Sequence, residues 1–284
     1  MEEGAQLLCQ AIYRGVNFFD TAQLYGSYPY IRRAMELSGK RDIVISTKTY
    51  AHTRELAVTA LEESCQELGR DYIDIFLLHE QESEHTLRGH REALDYLLEQ
   101  KQRGVIRAVG LSTHMVAGVK AAIDAQLDVI HPLLNLAGLG IGDGTREDMQ
   151  TAVWQAHTAG IGVFSMKALG GGNLFRRAEE CLEYALSLPY VHSVAVGMQG
   201  KSEVDANIDF FEGKGFSPAA RDDLQSKTRR LHIESWCEGC GACVARCGQG
   251  ALSLDKQMAI CEGSACLLCG YCGAVCPAMA IKII

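Results

Sequence analysis

Nine of the twelve cysteines in this chain lie between residues 237 and 276, and eight of them form two runs with identical spacing. The first run is Cys237-x2-Cys240-x2-Cys243-x3-Cys247, and the second is Cys266-x2-Cys269-x2-Cys272-x3-Cys276, followed by Pro277. A shift of 29 residues places every cysteine of the first run on one of the second, and Gly241 on Gly270. The two runs therefore indicate an internal duplication.

Thiolates repeated at this spacing are ligands for iron–sulfur clusters or for zinc. The first 230 residues hold only Cys9, Cys65 and Cys181, which disfavours a secreted disulfide scaffold, because such scaffolds are small throughout. Zinc ribbons use pairs of CxxC, whereas this chain has two runs of four, so iron–sulfur chemistry is favoured over two structural zinc sites. Cys261 fits neither run, and we expect it to be a buried thiol.

The spacing resembles that of bacterial two-cluster ferredoxins, in which the fourth cysteine of each run ligates the other cluster. The resemblance implies two [4Fe–4S] clusters with crossed ligands. The first would be held by Cys237, Cys240, Cys243 and Cys276, and the second by Cys266, Cys269, Cys272 and Cys247. Gly248 follows Cys247 where the pattern usually has proline, a departure that bears on the potential of the second cluster.

A second group of chemically capable residues lies at the ends of predicted strands. Asp20, Lys48 and His79 end the segments "VNFFD", "ISTK" and "DIFLLH", and Tyr25 follows in "TAQLYG". A tyrosine pKa is ordinarily about 10, and a nearby ammonium lowers it. A carboxylate would hold that ammonium, and an imidazole would orient a carbonyl oxygen. Each residue alone is more often a salt bridge or a packing residue, but together they predict protonation of an oxygen while hydride is delivered to carbon.

Seven short apolar or β-branched segments alternate with helical segments before residue 212. They cover residues 16–22, 42–49, 74–80, 107–113, 128–135, 162–169 and 193–198. Strands that are apolar on both faces and separated by helices predict a parallel sheet covered by helices. The repeat of about thirty residues favours a (β/α)8 TIM-type barrel, with a doubly wound sheet as the alternative. The first strand is missing from the pattern, so we expect either a seven-stranded barrel or a substitute segment.

The segments "GVNFFDTAQLYG", "ISTK" and "DIFLLH" resemble the signature of the aldo-keto reductase family, and the similarity extends to about residue 212. The resemblance implies that Tyr25 is the general acid/base and that Lys48 lowers its pKa. Asp20 would anchor Lys48, and His79 would orient the substrate.

The same resemblance implies NADP(H) or NAD(H) bound in the barrel mouth. Ser112, Thr113 and Asn135 would hold the carboxamide, and Met166 lies where the family often has a ring-stacking tyrosine. The loop "LGGGNL" (169–174) would pass close to the pyrophosphate. The segment 197–207 would reach the adenosine through Lys201, Glu203 and Asn207. Glu203 lies where members that prefer NADP often carry arginine, and Lys201 would compensate, so the preference between the two cofactors stays open.

Three regions follow along the chain: an aldo-keto reductase-like barrel over 1–212, a linker and helix over 213–232, and a small α+β ferredoxin-like domain over 233–284. The net charge is −8, and no Lys/Arg block exceeds a pair, which disfavours nucleic acid. No apolar run reaches the roughly 18 residues of a membrane span. The acidic, amphipathic opening segment is unlike a signal peptide, so we expect a cytoplasmic protein.

These patterns predict an oxidoreductase that interconverts a small carbonyl compound and its alcohol, with an attached electron-transfer domain and a redox protein as partner. Hydride carries two electrons and each cluster accepts one, and no flavin motif is evident to mediate between them. One alternative is therefore an electron-transfer protein whose barrel is a scaffold or docking surface. Another is a reductase whose clusters are structural or redox-sensing.

Overall fold

The computed structural model describes all 284 residues of the chain apart from the side chain of Gln225. Seven strands form one parallel sheet in chain order. They are β1 (Phe18–Asp20), β2 (Val44–Thr49), β3 (Ile73–Leu78), β4 (Ile106–Thr113), β5 (Val129–Pro132), β6 (Gly162–Ser165) and β7 (Ser193–Val194). All seven predicted strands are confirmed. The doubly wound alternative is wrong, because the spatial order never reverses along the sequence.

The sheet curls into a half-barrel. Over the described ranges of the chain, the TIM-type barrel does not close, either with seven strands or with a substitute segment, so both expectations are wrong. In the described residues, β1 pairs only with β2, and β7 pairs only with β6, so the two strands are the edges of the sheet. Helix α1 (Glu2–Tyr13) precedes β1 and packs against helix α9 (Lys201–Phe211), which follows β7. Arg14 forms ion pairs with Asp205 and Asp209 across this contact. The helical layer is therefore continuous where the strands are not.

The other helices of the half-barrel lie between successive strands or follow them. They are α2 (Tyr28–Ser38), α3 (Arg54–Leu68), α4 (Glu84–Gly89), α5 (Arg91–Gln102), α6 (Val116–Asp124), α7 (Arg146–Thr158) and α8 (Ala178–Leu186). The start of α3 shows how local sequence sets these bounds. The Thr53 hydroxyl accepts the N–H of Leu56, and Gly69 ends the helix in the left-handed conformation. None of the helices in the described part of the chain is long and apolar enough to cross a membrane.

The main core lies between the sheet and the helices around it. Fully buried strand residues such as Ile45, Phe76, Leu111 and Ile130 pack against apolar faces of the helices. Burial of each such side chain contributes about 1.5–3 kcal/mol, so the core fixes the strand positions and thereby the side chains at the strand ends.

Residues 213–284 follow the half-barrel, beginning with helix α10 (Pro218–Ser226), whose cap is the Ser217 hydroxyl. Two similar units come next. The first contains β8 (Leu231–Ile233), α11 (Ala242–Arg246) and β9 (Leu252–Asp255). The second contains β10 (Met258–Cys261), α12 (Tyr271–Ala274) and β11 (Ile281–Ile283).

The two units exchange strand partners, because β8 pairs with β11 and β9 pairs with β10, both antiparallel. Gly241 and Gly270 precede the two short helices with φ of 77° and 78°. Matching elements in matching order confirm the internal duplication that the cysteine spacing predicted.

Candidate active site and cysteine centres

Asp20 and Lys48 meet at the carboxyl end of the sheet, as their positions at the ends of β1 and β2 predicted. The Lys48 Nζ donates to Asp20 Oδ2 and to the Thr21 carbonyl, at 2.7 Å each, and the Lys48 side chain is only 2% exposed. A buried ammonium needs such partners, because an unpaired charge in the interior is costly. The geometry of this pair matches the anchoring role expected of Asp20.

His131, in β5, is a third member of this group that the sequence analysis missed. Its Nδ1 lies 2.7 Å from the Phe164 carbonyl, its Nε2 lies 3.5 Å from Asp20 Oδ2, and its ring stacks on Phe164. Burial alone would raise the pKa of Asp20. The charges and hydrogen bonds of His131 and Lys48 outweigh that effect and hold the pKa well below its usual range. His131 is a polar residue inside the apolar run "DVIHPLLN", and this is the sequence feature that could have identified it.

Tyr25 and His79 lie beside this charged group. The Lys48 Nζ is 5.3 Å from the centre of the Tyr25 ring, and the Tyr25 and His79 rings meet edge to face at 5.9 Å. Lys48 lies near the Tyr25 ring but is already bonded to Asp20 and Thr21, and the net pKa of Tyr25 is not lowered. Burial, followed by the charges of Asp20 and Glu80, raises the pKa of the phenol. Since Tyr25 is 57% exposed, solvent moderates this rise.

His79 is a neutral, poorly solvated imidazole. Burial, followed by the charge of Lys48, lowers its pKa to about 4. Its ring stacks on Tyr50 at 4.4 Å, and its Nδ1 is buried without a hydrogen-bond partner among the described residues. A buried nitrogen without a partner is costly unless a ligand or water bonds to it. His79 therefore has a free hydrogen-bonding position at the strand ends.

The residues expected to hold the carboxamide are buried and bonded within the protein. The Ser112 hydroxyl accepts the N–H of Glu80. The Thr113 hydroxyl accepts the N–H of Met115 and donates to its carbonyl. The side-chain amide of Asn135 bonds the N–H and the carbonyl of Leu139. As placed here, Thr113 and Asn135 do not offer the contacts expected of them, and Met166 lies partly buried just beyond β6.

The expected adenosine segment is helix α9 with the turn before it. Lys201 is exposed at its first position, and Asn207 donates to the Glu203 carbonyl within the helix. The Glu203 carboxylate is buried, accepts the N–H of Gln199 and lies 3.3 Å from both Lys227 and Arg229. Two cations from the segment expected to be a linker therefore neutralise Glu203, which removes much of its repulsion toward a phosphate.

The loop 169–174 is covered by the second cysteine unit. The Asn173 Nδ2 donates to the Ile281 carbonyl at 3.0 Å, and the N–H of Ile283 donates to the Gly171 carbonyl at 3.2 Å. A Cβ on Gly172, where φ is +85°, would lie 2.0 Å from the Ile283 carbonyl oxygen. The face of the loop that we expected to approach a pyrophosphate is therefore occupied by the segment around β11.

Four cysteines line one small hollow: Cys237, Cys240, Cys243 and Cys276. They are the crossed set expected for the first cluster. Backbone N–H groups of Ala259 and Ala280 point at the sulfurs of Cys237 and Cys276, at 3.5 and 3.3 Å. Such N–H···S contacts are the kind that tune a cluster's potential. Thiolate donors of this kind are the ligands that iron–sulfur clusters use.

Three cysteines of the second set, Cys266, Cys269 and Cys272, lie close together. Burial raises the pKa of the Cys272 thiol to about 11, and the neighbouring Cys266 and Cys269 add to the rise. The Cys261 thiol is hydrogen-bonded to the Cys266 thiol and lies near Cys272 and Cys247, so it adjoins the set. It is partly exposed, whereas we expected it to be buried. Among the described residues, no group of three or more His, Cys, Asp or Glu side chains is arranged to hold a single metal ion.

Comparison with known proteins locates the family resemblance in the half-barrel. The model of the Aldo/keto reductase family matches residues 1–180. An aldo-keto reductase of Mycolicibacterium paratuberculosis is 29% identical over 151 residues, covering 49% of this chain and 51% of that protein. Methylglyoxal reductase DkgA of Yersinia pestis is 25% identical over 182 residues, with coverages of 60% and 64%.

Among solved structures, the holo form of an aldo-keto reductase from Bacillus halodurans aligns with a TM-score of 0.62 at 20% identity. The alignment covers 78% of this chain and 85% of that one, and at this identity it shows the fold alone. The chain spans about half the length of the curated relatives it matches. The cysteine runs lie outside the matched family region.

Proposed function

Because this chain belongs to the aldo/keto reductase family, we propose that it reduces a small aldehyde or ketone to its alcohol with NAD(P)H, or catalyses the reverse oxidation. The single observation that carries the proposal is the buried Lys48–Asp20 pair directly beside Tyr25 and His79. Nothing in packing alone requires a partly exposed phenol and an unpartnered imidazole nitrogen next to a buried ion pair.

The chain's own residues would act on the carbonyl oxygen. Tyr25 is protonated at neutral pH, as any phenol with a pKa of about 10 or above is, so its hydroxyl can donate a hydrogen bond and then a proton to that oxygen. His79 is neutral, and its ring lies beside Tyr25, so it would orient the same oxygen. Lys48 would stabilise the phenolate that remains, while Asp20 holds Lys48 in place. The nicotinamide would supply the hydride, and Tyr25 would regain its proton from solvent.

We further propose that residues 233–284 form a two-[4Fe–4S] electron-transfer domain. The four cysteines around one hollow, the crossed position of Cys276 and the N–H···S contacts support this assignment. When bound, such clusters supply one-electron transfer, and a redox protein would be the partner. We expect the protein to act in the cytoplasm, where reduced thiols favour cluster ligation over disulfides.

The second candidate function is electron transfer with the half-barrel as a docking surface. The observation that favours it is the cover that the β11 segment places over the loop 169–174, together with the internal bonding of Thr113 and Asn135. In that case the protein would not bind NADPH. Titration of NADPH into the anaerobically purified holoprotein separates the two functions, since only the reductase should bind it.

The reductase proposal is tested by Tyr25→Phe, with methylglyoxal as the probe substrate and NADPH consumption as the measurement. General acid catalysis contributes about 10²–10⁴-fold, so we expect a loss of that size in kcat. The matched control is Tyr13→Phe, which removes the hydroxyl of an exposed tyrosine in α1. Equal turnover by the Tyr25 variant and the parent protein would overturn the proposed mechanism.

A further inference from the structure

Two lysines from distant parts of the chain lie side by side at the carboxyl end of the sheet. Lys167 follows β6, and Lys282 lies in β11 of the second cysteine unit. Lys282 is only 9% exposed, its stem lies on Gly171, and its Nζ donates to the Met279 carbonyl at 2.5 Å. The Lys167 side chain is in contact with it. The contact of the second cysteine unit with the loop 169–174 therefore places the Lys282 ammonium beside the Lys167 ammonium.

Neither ammonium forms a salt bridge in the part of the chain that the structure describes. Two carboxylates act on them from a greater distance, Glu234 on Lys282 and Glu80 on Lys167, and Glu80 already accepts the Tyr50 hydroxyl at 2.5 Å. Burial, followed by the charge of Lys167, lowers the pKa of Lys282 to about 8. Two adjacent cations in a poorly solvated place repel each other, and an anion between them would remove that cost.

A free hydrogen-bonding position adjoins the two lysines. The Nε2 of His114, directly after β4, is buried without a partner among the described residues. Burial, followed by the charge of Lys167, lowers the pKa of His114 to about 4, which places the imidazole close to that ammonium. Lys167 also acts electrostatically on Lys48, so the lysine pair belongs to the same end of the sheet as the candidate catalytic group.

We propose that Lys167 and Lys282 form an anion-binding site that takes the carboxylate of an acidic carbonyl substrate, with His114 as an additional polar contact. The assignment rests on the proposed reductase function and specifies its substrate class. A substrate carboxylate is favoured because the two lysines lie near the Tyr25 and Lys48 group that would act on the carbonyl. One small molecule could therefore place its carboxylate at the lysines and its carbonyl at Tyr25. A phosphate of the cofactor has the same chemistry and is the competing source of the anion.

The test compares two aldehydes of similar size, glyoxylate with a carboxylate and methylglyoxal without one. Lys282→Met and Lys167→Met keep most of each aliphatic stem and remove the charge, and Lys120→Met on the exposed face of α6 is the control. We expect the KM for glyoxylate to rise about tenfold or more in both test variants, with the KM for methylglyoxal unchanged. An equal effect on the two aldehydes would overturn the assignment.

Two binding measurements separate the remaining outcomes on the holoprotein. Oxalate, an unreactive dianion, should bind the parent protein by calorimetry and about tenfold more weakly in both variants, while Lys282→Arg should retain binding. Unchanged oxalate binding would contradict the anion site. A weaker affinity for NADPH with an unchanged preference between the aldehydes would assign the anion to the cofactor and overturn the carboxylate. If the parent reduces neither aldehyde, the reductase proposal fails, and oxalate binding alone decides the anion site.

Discussion

Lys48 and His131 approach the same oxygen, Oδ2 of Asp20, at 2.7 and 3.5 Å. Both nitrogens of the His131 ring face acceptors, since Nδ1 lies against the Phe164 carbonyl. Asp20 therefore contacts both the Lys48 ammonium and the His131 ring through one carboxylate oxygen. The anchor of the candidate lysine is therefore a three-residue network rather than a single ion pair.

Asp20→Asn should destabilise the protein by about 3 kcal/mol at pH 7, because it leaves the buried Lys48 ammonium without a counter-charge. The pKa of Asp20 is lower in the folded protein than in the unfolded chain. Its contribution is therefore present above about pH 4 and is lost as the pH falls through the lower folded value. Urea unfolding followed by circular dichroism measures the change, with Asp222→Asn on exposed α10 as the control. Equal stabilities of the Asp20 variant and the parent at pH 7 would contradict the network.

His79→Gln should reduce the dependence of stability on pH between about 4 and 6.5. The pKa of His79 falls from 6.5 to about 4 on folding, so the unfolded chain takes up a proton in this window and the folded protein does not. Stability is then complete above about pH 6.5 and declines as the pH falls, by at most about 1.4 kcal/mol per pH unit for one group. His114 contributes in the same window and remains in the variant, so the slope should decrease without disappearing.

Unfolding free energies at pH 5 and pH 7 measure this effect. His85→Gln changes an exposed histidine on α4 and should leave the slope as it is in the parent. A His79→Gln protein with the parent's slope would show that His79 is not a neutral imidazole in the fold.

Gly172→Ala should loosen the contact between the loop 169–174 and β11. The added Cβ would meet the Ile283 carbonyl, and the left-handed backbone at Gly172 is unfavourable for alanine. Hydrogen exchange of residues 279–284 should become faster, while exchange in β2 and β3 stays unchanged. Gly197→Ala is the matched control, since a Cβ there meets nothing within 4 Å. Unaltered exchange in both variants would mean that the contact does not hold the segment in place.

Cys276→Ser and Cys247→Ser should each remove one iron–sulfur cluster, although the two residues lie in opposite runs from the clusters they serve. Iron and acid-labile sulfide should fall to about half in each variant, because each serine removes one ligand of four. Cys261→Ser should retain the full content, since Cys261 adjoins the second set without completing it. Electron paramagnetic resonance of the reduced proteins would identify the remaining cluster. Loss of iron from Cys261→Ser would contradict the crossed assignment.

The seven strands were predictable because buried parallel strands are continuous apolar runs, and the polar residues that end β1, β2 and β3 were visible for the same reason. His131 was missed because its partner Asp20 lies more than a hundred residues away, and only the curvature of the sheet brings the two together. The net rise in the pKa of Tyr25 could not be predicted, since it depends on how deeply the ring is buried and on the charges of Asp20 and Glu80. The contact of Lys282 with Lys167 was unpredictable, because it requires the cysteine unit to lie on the loop after β6.

The exchanged strands of the duplicated units have a consequence for the order of folding during synthesis. Arg230, directly before β8, forms two backbone hydrogen bonds with Ile284, at 2.7 and 3.0 Å. Closing such a loop of more than fifty residues is a slow, non-local step compared with forming α11 or α12. When only the first unit has left the ribosome, β8 lacks its partner strand β11, and the hollow lacks its fourth thiolate, Cys276. The ligand set for the first cluster is incomplete at that stage, so cluster insertion should follow translation of the second unit.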